Sequence, residues 1–250
     1  MDIQQKLIDC ASEWIKGQKI KELRFGLGYS SVELANGRMG IVGTPSDNAD
    51  SCTHIRSAGK IAGMAAGELL GWLASNHPLE RAAGLATFNA LNAGNKRSCL
   101  EEEAISLLKI QKTDHVVMVG YFAPLVPGIK TTGCSFEIIE LKSEKPGVIT
   151  PEQGYKALEK CDIAIITSTS IINGTCNSLL KALKRNRAAV LLGPSTPMCP
   201  EAFSGTRITQ WSGSYVLNTE RVKTIISEAG GTMLLKKYLR FTTVKANHTE

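Results

Sequence analysis

Histidine is scarce in this chain. His54, His77, His115 and His248 are all it has, and none stands beside a Ser, Cys or acid in a catalytic spacing. H-E-x-x-H, C-x-x-C and H-x-H are all missing, so the strong zinc patterns are excluded and no preformed structural zinc site is expected. Aromatic residues make up 6% and are not interleaved with Lys and Arg, which argues against a nucleic-acid surface. No apolar run approaches the length of a membrane span. Residues 1–20 are amphipathic and of mixed charge, without the apolar stretch of a signal peptide, so a cytoplasmic protein is expected. The seven cysteines are odd in number and lack framework spacing, as for reduced thiols. No G-x-G-x-x-G occurs: Gly26-x-Gly28 has no third glycine in place, and Gly59-Lys60 lacks the remainder of a P-loop. A net charge of +6 is a mild field that favours small anionic ligands.

The most informative stretch present is Cys161–Pro200. Ile163–Thr167 and Ala188–Leu192 are too continuously apolar to be half-exposed and read as interior strands of a covered parallel sheet. Between them Leu179, Leu180 and Leu183 recur at helical spacing, giving a βαβ unit with a right-handed crossover. Each strand ends in small polar residues. The first gives Thr167, Ser168, Thr169 and then Asn173-Gly174-Thr175; the second gives Gly193-Pro194-Ser195-Thr196. Ligands of open α/β sheets bind outside such carboxyl ends, where helix N-termini offer free N–H groups. The plain alternative is that these residues simply make turns.

In chain order, residues 2–16 read as a helix, followed by strands Ile20–Leu27, Tyr29–Leu34 and Arg38–Val42, with Asn36-Gly37 as a hairpin turn. The polar loop 44–56 carries Asp47, Asp50, Cys52 and His54, which match no established metal spacing. Ser57–Ser75 reads as a helix dense in small residues, and Pro78 opens another through Asn92. Asn89 and Asn92 share one face of it, to meet a ligand or to tie the helix end. Ala93-Gly94-Asn95 breaks the pattern, so residues 1–95 are expected to form an α+β domain and 96–250 a mostly parallel α/β domain covered on both faces. There, Glu101–Ile110 reads as a helix, His115–Gly120 and Ser135–Leu141 as strands, and the proline-bearing run Tyr121–Pro127 as a rigid loop. Glu140 ends the second strand about twenty residues after Gly120, where dinucleotide-binding folds place a ribose-holding acid. Arg207–Trp211 reads as a further strand, ending in Ser212-Gly213. Asn218–Ala229 is a helix, and Met233–Val244 is left open between strand and short helix.

Strand–TST–x–x–N–G–T–helix followed by strand–GPSTP resembles the Putative heavy-metal chelation family, with Ser168 standing where that pattern has glycine. The resemblance extends to the Val119-Gly120-Tyr121-Phe122 run, the acid at Glu140 and the Ser212-Gly213 pair. It implies a Rossmann-like C-terminal domain behind a small enolase-N-terminal-like domain, and a connection with metal chelation.

The residues themselves offer poor metal ligands. Cys134, Cys176 and Cys199 are the best set, suited to a soft metal if their thiolates converge and to ordinary core packing if they do not. Two readings follow. In the first, the chain binds a metal, or an anionic or metal-chelating small molecule held between two domains by backbone N–H groups, hydroxyls and amides. In the second, it is a transferase-like enzyme with a nucleotide-like, adenosyl or pyridoxal-type cofactor, Lys130 being the nearest Schiff-base candidate. The expected ligand contacts are Thr167–Thr169, Asn173–Thr175, Gly193–Thr196, Ser212, Gly213 and Glu140, with Asn89 and Asn92 across the cleft. A homodimer is compatible with these features, and no residue pattern specifies one.

Overall fold

A computed structural model describes residues 2–45, 54–95, 99–140 and 148–246. Asp47, Asp50, Cys52, Leu141 and His248 lie outside them. The chain opens with helix α1 (Ile3–Cys10), capped by the Asp2 carboxylate, and an antiparallel meander of β1 (Ile20–Phe25), β2 (Tyr29–Leu34) and β3 (Met39–Gly43). Helices α2 (Ala66–Gly71) and α3 (Pro78–Asn92) follow, and Pro78 takes the first turn of α3 as the sequence requires. Then come β4 (His115–Val119), α4 (Val126–Thr131), β5 (Ser135–Ile139), β6 (Val148–Ile149), α5 (Pro151–Lys160) and β7 (Ile163–Thr167). The chain continues through α6 (Ser170–Asn173), α7 (Cys176–Ala182), β8 (Ala188–Leu192), β9 (Gln210–Val216), α8 (Thr219–Ser227), α9 (Thr232–Leu235) and β10 (Leu239–Lys245).

Among the described residues the strands form two separate sheets, the meander and a seven-stranded sheet ordered β10-β9-β8-β7-β4-β5-β6. The larger sheet is parallel except for β10, which runs antiparallel to β9. This is the mixed α/β architecture expected, with a mostly parallel sheet behind a small antiparallel one. The meander is covered on both faces. Helix α3 lies on one, so close that a Cβ on Gly40 would sit 2.1 Å from the Ala86 carbonyl oxygen. Helix α8, from the far end of the chain, covers the other, packing Val222 and Ile226 on Met39 and Ile41. That double cover is why β2 is buried from Ser30 to Leu34.

Four elements differ from the sequence expectation. The first helix stops at Cys10, and a turn-rich segment runs on to Gly17 (φ 70°). The expected helix Ser57–Ser75 forms only over Ala66–Gly71 plus a 3-10 turn at Trp72–Ala74, because Gly59 and Gly63 adopt φ of 83° and 86°, outside the helical region. Glu101–Ile110 reduces to a 3-10 turn at Ser106–Leu108, ended by Lys109 at φ 48°. Strand β9 runs on through Ser212 and Gly213 to Val216 because β10 pairs along its whole length, from Lys245↔Gln210 to Leu239↔Val216. The open question over Met233–Val244 resolves as both: α9 and a 3-10 turn, then a strand.

Candidate functional site

In the large sheet the chain begins at β4, winds outward through β5 and β6, then crosses back to β7 and continues outward on the other side. The direction reverses between β4 and β7, and in open α/β sheets the crevice outside that reversal is where ligands bind. A cavity of about 240 Å³ lies there. Gly120, Tyr121 and Phe122 line it from the end of β4, Glu140 from β5, and Thr167 and Thr169 from β7. Asn173, Thr175 and Leu179 close the side toward α7, and Tyr155 reaches in from α5.

Local chemistry explains the shape. Gly120 has φ 89°, and a Cβ there would stand 3.0 Å from the Thr167 Cβ, so glycine lets the ends of β4 and β7 touch. The Tyr121 N–H donates to Glu140 Oε2 at 3.1 Å, which fixes the carboxylate at the mouth of the crevice. Thr167 and Thr169 share a hydroxyl–hydroxyl hydrogen bond of 2.8 Å. Asn173 Oδ1 accepts from the Thr175 N–H at 3.0 Å and hydroxyl at 2.7 Å, so the Asn-Gly-Thr turn is closed by its own side chains. The lining thus presents one carboxylate, several hydroxyls, an amide and three aromatic rings. It includes no Lys, Arg or His among the described residues.

Five of the expected contacts therefore meet in this cavity: Glu140, Thr167, Thr169, Asn173 and Thr175. Gly174 (φ 83°) is the turn residue between two of them. The others are elsewhere. Ser168 is buried and donates to the Leu192 carbonyl at 3.1 Å. The Phe122 ring stands 3.9 Å from where a Gly193 Cβ would be, placing it between the cavity and the Gly193–Thr196 loop. That loop, with Pro194 in its turn, faces the meander: the Gly43 N–H donates to Ser195 Oγ at 2.8 Å, and Thr196 Oγ1 donates back to Gly193 O at 2.7 Å. Asn89 Nδ2 donates to Ser195 O and Ile41 O, and Asn92 Nδ2 to Met198 O, so both amides tie α3 to that loop. Ser212 Oγ is bonded to Thr243 Oγ1 within the sheet, and a Cβ on Gly213 would meet Thr196 O at 3.0 Å. These two are mid-strand packing positions, a correction to the strand end expected there.

Tyr121, Phe122, Tyr155 and Leu179 are lining residues that sequence reasoning did not place in the site. A signal for Tyr155 existed in its neighbour. A Cβ on Gly154 would come 2.6 Å from the Ile139 side chain, so the glycine brings α5 down onto β5.

The cysteines do not form a metal set. Cys134 packs with the core on one face of the sheet, whereas Cys176 and Cys199 belong to the other. Burial pushes the Cys176 thiol up to about 12 and raises that of Cys199 as well. Among the described residues no three His, Cys, Asp or Glu side chains come together to hold a metal ion. Lys130 lies exposed on α4 and does not line the cavity.

Two family models match the chain, at residues 8–92 and 103–245, and both carry the description putative heavy-metal chelation. The chain belongs to this family. An uncharacterized protein of Methanocaldococcus jannaschii is 22% identical over 244 residues, covering 94% of this chain and 93% of that protein. Two solved structures of unknown function from the family share the fold. One, from Pyrococcus horikoshii, superposes with a TM-score of 0.86 at 20% identity, covering 98% of this chain and all of the other. One from Desulfitobacterium hafniense gives 0.79 at 22% identity, covering 97% and 99%. The described residues present no ready-made cluster of side chains for a directly bound metal ion. Among them, no helix is long and apolar enough to cross a membrane.

Proposed function

We propose that this chain binds and handles a small organic molecule in the crevice between the β4, β5 and β7 ends, and that any metal it manages arrives on that molecule rather than on protein side chains. The observation that carries this is the gathering of Glu140, Thr167, Thr169, Asn173 and Thr175 around one cavity at the reversal of the sheet. Their donors and acceptors suit an organic ligand of mixed polarity. Residues 1–95 and 96–250 act as two domains on this reading, the first a small α+β support and the second a Rossmann-like carrier of the site. The cavity sits beside their seam, where a Cβ on Gly43 would approach the Thr169 methyl to 3.1 Å.

The second reading, an enzyme with a nucleotide-like cofactor, is favoured by the position of Glu140 at the tip of β5. Among the described residues no lysine lines the cavity, so nothing there supports the pyridoxal form of it. Native mass spectrometry of untreated protein tests the proposal. A non-covalent small molecule should copurify, and Thr169→Val and Tyr155→Phe should each lower its occupancy without unfolding the chain. Retention of full occupancy in both variants would place the ligand elsewhere.

A further inference from the structure

A second cavity lies away from the crevice and shares none of its lining residues. Its volume is about 800 Å³, inside the roughly 300–1,000 Å³ typical of small-molecule sites. It opens between the β2–β3 turn, the end of α3, and the place where the end of β9 meets the start of β10, so both halves of the chain build it. Each half brings an arginine. Asn36-Gly37 turns the meander, and Asn36 Oδ1 accepts from the Arg38 N–H at 3.0 Å, which fixes where Arg38 leaves the turn. The Arg38 guanidinium then lies against Gly94, where a Cβ would fall on it. Arg240 stands directly across from Tyr215 in the β9–β10 pair, so the two side chains share one face of the sheet. Its guanidinium is over that ring, 5.7 Å from the centroid. Among the described residues no carboxylate pairs with either guanidinium, and Glu101 is the single acid in the lining. A guanidinium presents a planar fork of donors that matches the oxygens of a carboxylate or a phosphate. One fork is placed by packing on backbone and the other by stacking, so part of the ordering cost of binding is already met.

We propose that this cavity is a second ligand site, which takes a small molecule bearing two or more oxyanions, carboxylate or phosphate, on Arg38 and Arg240. Titration calorimetry on the full chain at low salt tests this with citrate and with pyrophosphate. At least one of them should bind with a Kd below about 1 mM, and the tighter of the two names the oxyanion. Arg38→Ala and Arg240→Ala should each weaken that binding about tenfold or more. Lys16→Ala removes the same charge from a surface pair with Glu13 and should leave the affinity within about twofold. Gly94→Ala keeps every charge in place, yet should weaken binding about threefold or more, because the new methyl group displaces the Arg38 guanidinium. Gly94 is outside the left-handed region and only the far end of a flexible side chain has to move, so the urea midpoint of this variant should match wild type. Failure of both anions to bind by about 1 mM overturns the proposal. An equal loss in Lys16→Ala also overturns it, as the mark of general charge attraction. So does full affinity in Gly94→Ala or in either arginine variant.

Discussion

Replacing Lys223 with Met should destabilise the whole molecule through a charge on the opposite end of the chain. Lys223 lies on α8, with its side chain 7% exposed, and its ammonium is 2.9 Å from Glu33 Oε2, 2.7 Å from Glu220 and 3.5 Å from Glu22. Glu33 belongs to β2 and is 2% exposed; its other oxygen is 2.7 Å from the ammonium of Lys21. Burial pushes the Glu33 carboxyl up, and the hydrogen bonds and charges of Lys21 and Lys223 outweigh it, so the group sits below its ordinary value and is ionised. Taking one partner from a buried ion pair costs roughly 3–5 kcal/mol, because the other charge is stranded. Lys21, half-exposed, stays on Glu33 and softens that to roughly 2–4 kcal/mol. For a chain of this size the loss corresponds to a fall in Tm of roughly 5–15 °C.

Urea unfolding read by tryptophan fluorescence measures it. Trp14 and Trp72 report on the first half and Trp211 on β9, so variants keeping one reporter at a time show whether both halves lose the same stability. The control is the pair Glu33→Leu with Lys223→Met, which removes both buried charges and should recover most of the loss. A cost below about 1 kcal/mol for Lys223→Met, in the range of a solvated surface pair, would refute the reasoning. So would a double variant no more stable than the single one.

The remaining predictions concern packing, pH and the crevice. Gly40→Ala should cost roughly 3 kcal/mol, since its Cβ would meet main-chain atoms of α3 at 2.1 and 2.4 Å and push the helix off the meander; urea midpoints give the value. Acid should destabilise the fold: a hydrogen bond from Arg187 lowers Asp114, one from the His115 N–H lowers Asp162, and Glu33 is lowered as described. Groups held low when folded contribute stability that is complete above their unfolded values near 4 and is lost as pH falls through the folded ones, so urea midpoints should be flat from pH 7 to about 5 and drop below about pH 4. Asn173→Ala should lower ligand affinity by roughly 1–3 kcal/mol and stability by about 1 kcal/mol, as Oδ1 gives up its two bonds to Thr175. Unfolding of that variant would make Asn173 a turn residue alone, and unchanged ligand binding would remove it from the site.

Strands β7 and β8 match the sequence reading to the residue because continuous Ile, Ala, Val and Leu runs have one stable place in a covered parallel sheet. Helix α3 was equally legible from Pro78 and the Ala93-Gly94-Asn95 break that follows it. The short helices were not, since local signals cannot tell a small-residue helix from turns set by Gly59 and Gly63. The site was half legible. Sequence places Glu140, Thr167 and Asn173 at strand ends, and the cavity collects all three. It cannot show that the Phe122 ring lies between that cavity and Gly193, nor that Ser195 faces Gly43 instead. Those are relations between segments far apart in the chain. The same limit hid Tyr155, which enters only because Gly154 lets α5 settle on β5.

The residues displaced from the cavity still bear on what it does. Asn89, Asn92 and Gly43 hold the Ser195–Met198 segment through its carbonyls and one hydroxyl, from a helix and a strand that are themselves fully packed. A loop fixed in this way backs Phe122 and Ser168 on its other side. Thr169 then meets the meander at Gly43 while its hydroxyl stays with Thr167 at the crevice. The described residues of the first half line none of the cavity, yet Gly43 and Asn89 hold the Ser195 loop behind it and Gly43 packs near Thr169. Preorganisation of that kind lowers the ordering cost a ligand must meet. The two halves meet in one hydrophobic cluster, running from Leu7 and Val32 through Phe88 to Ile166 and Trp211.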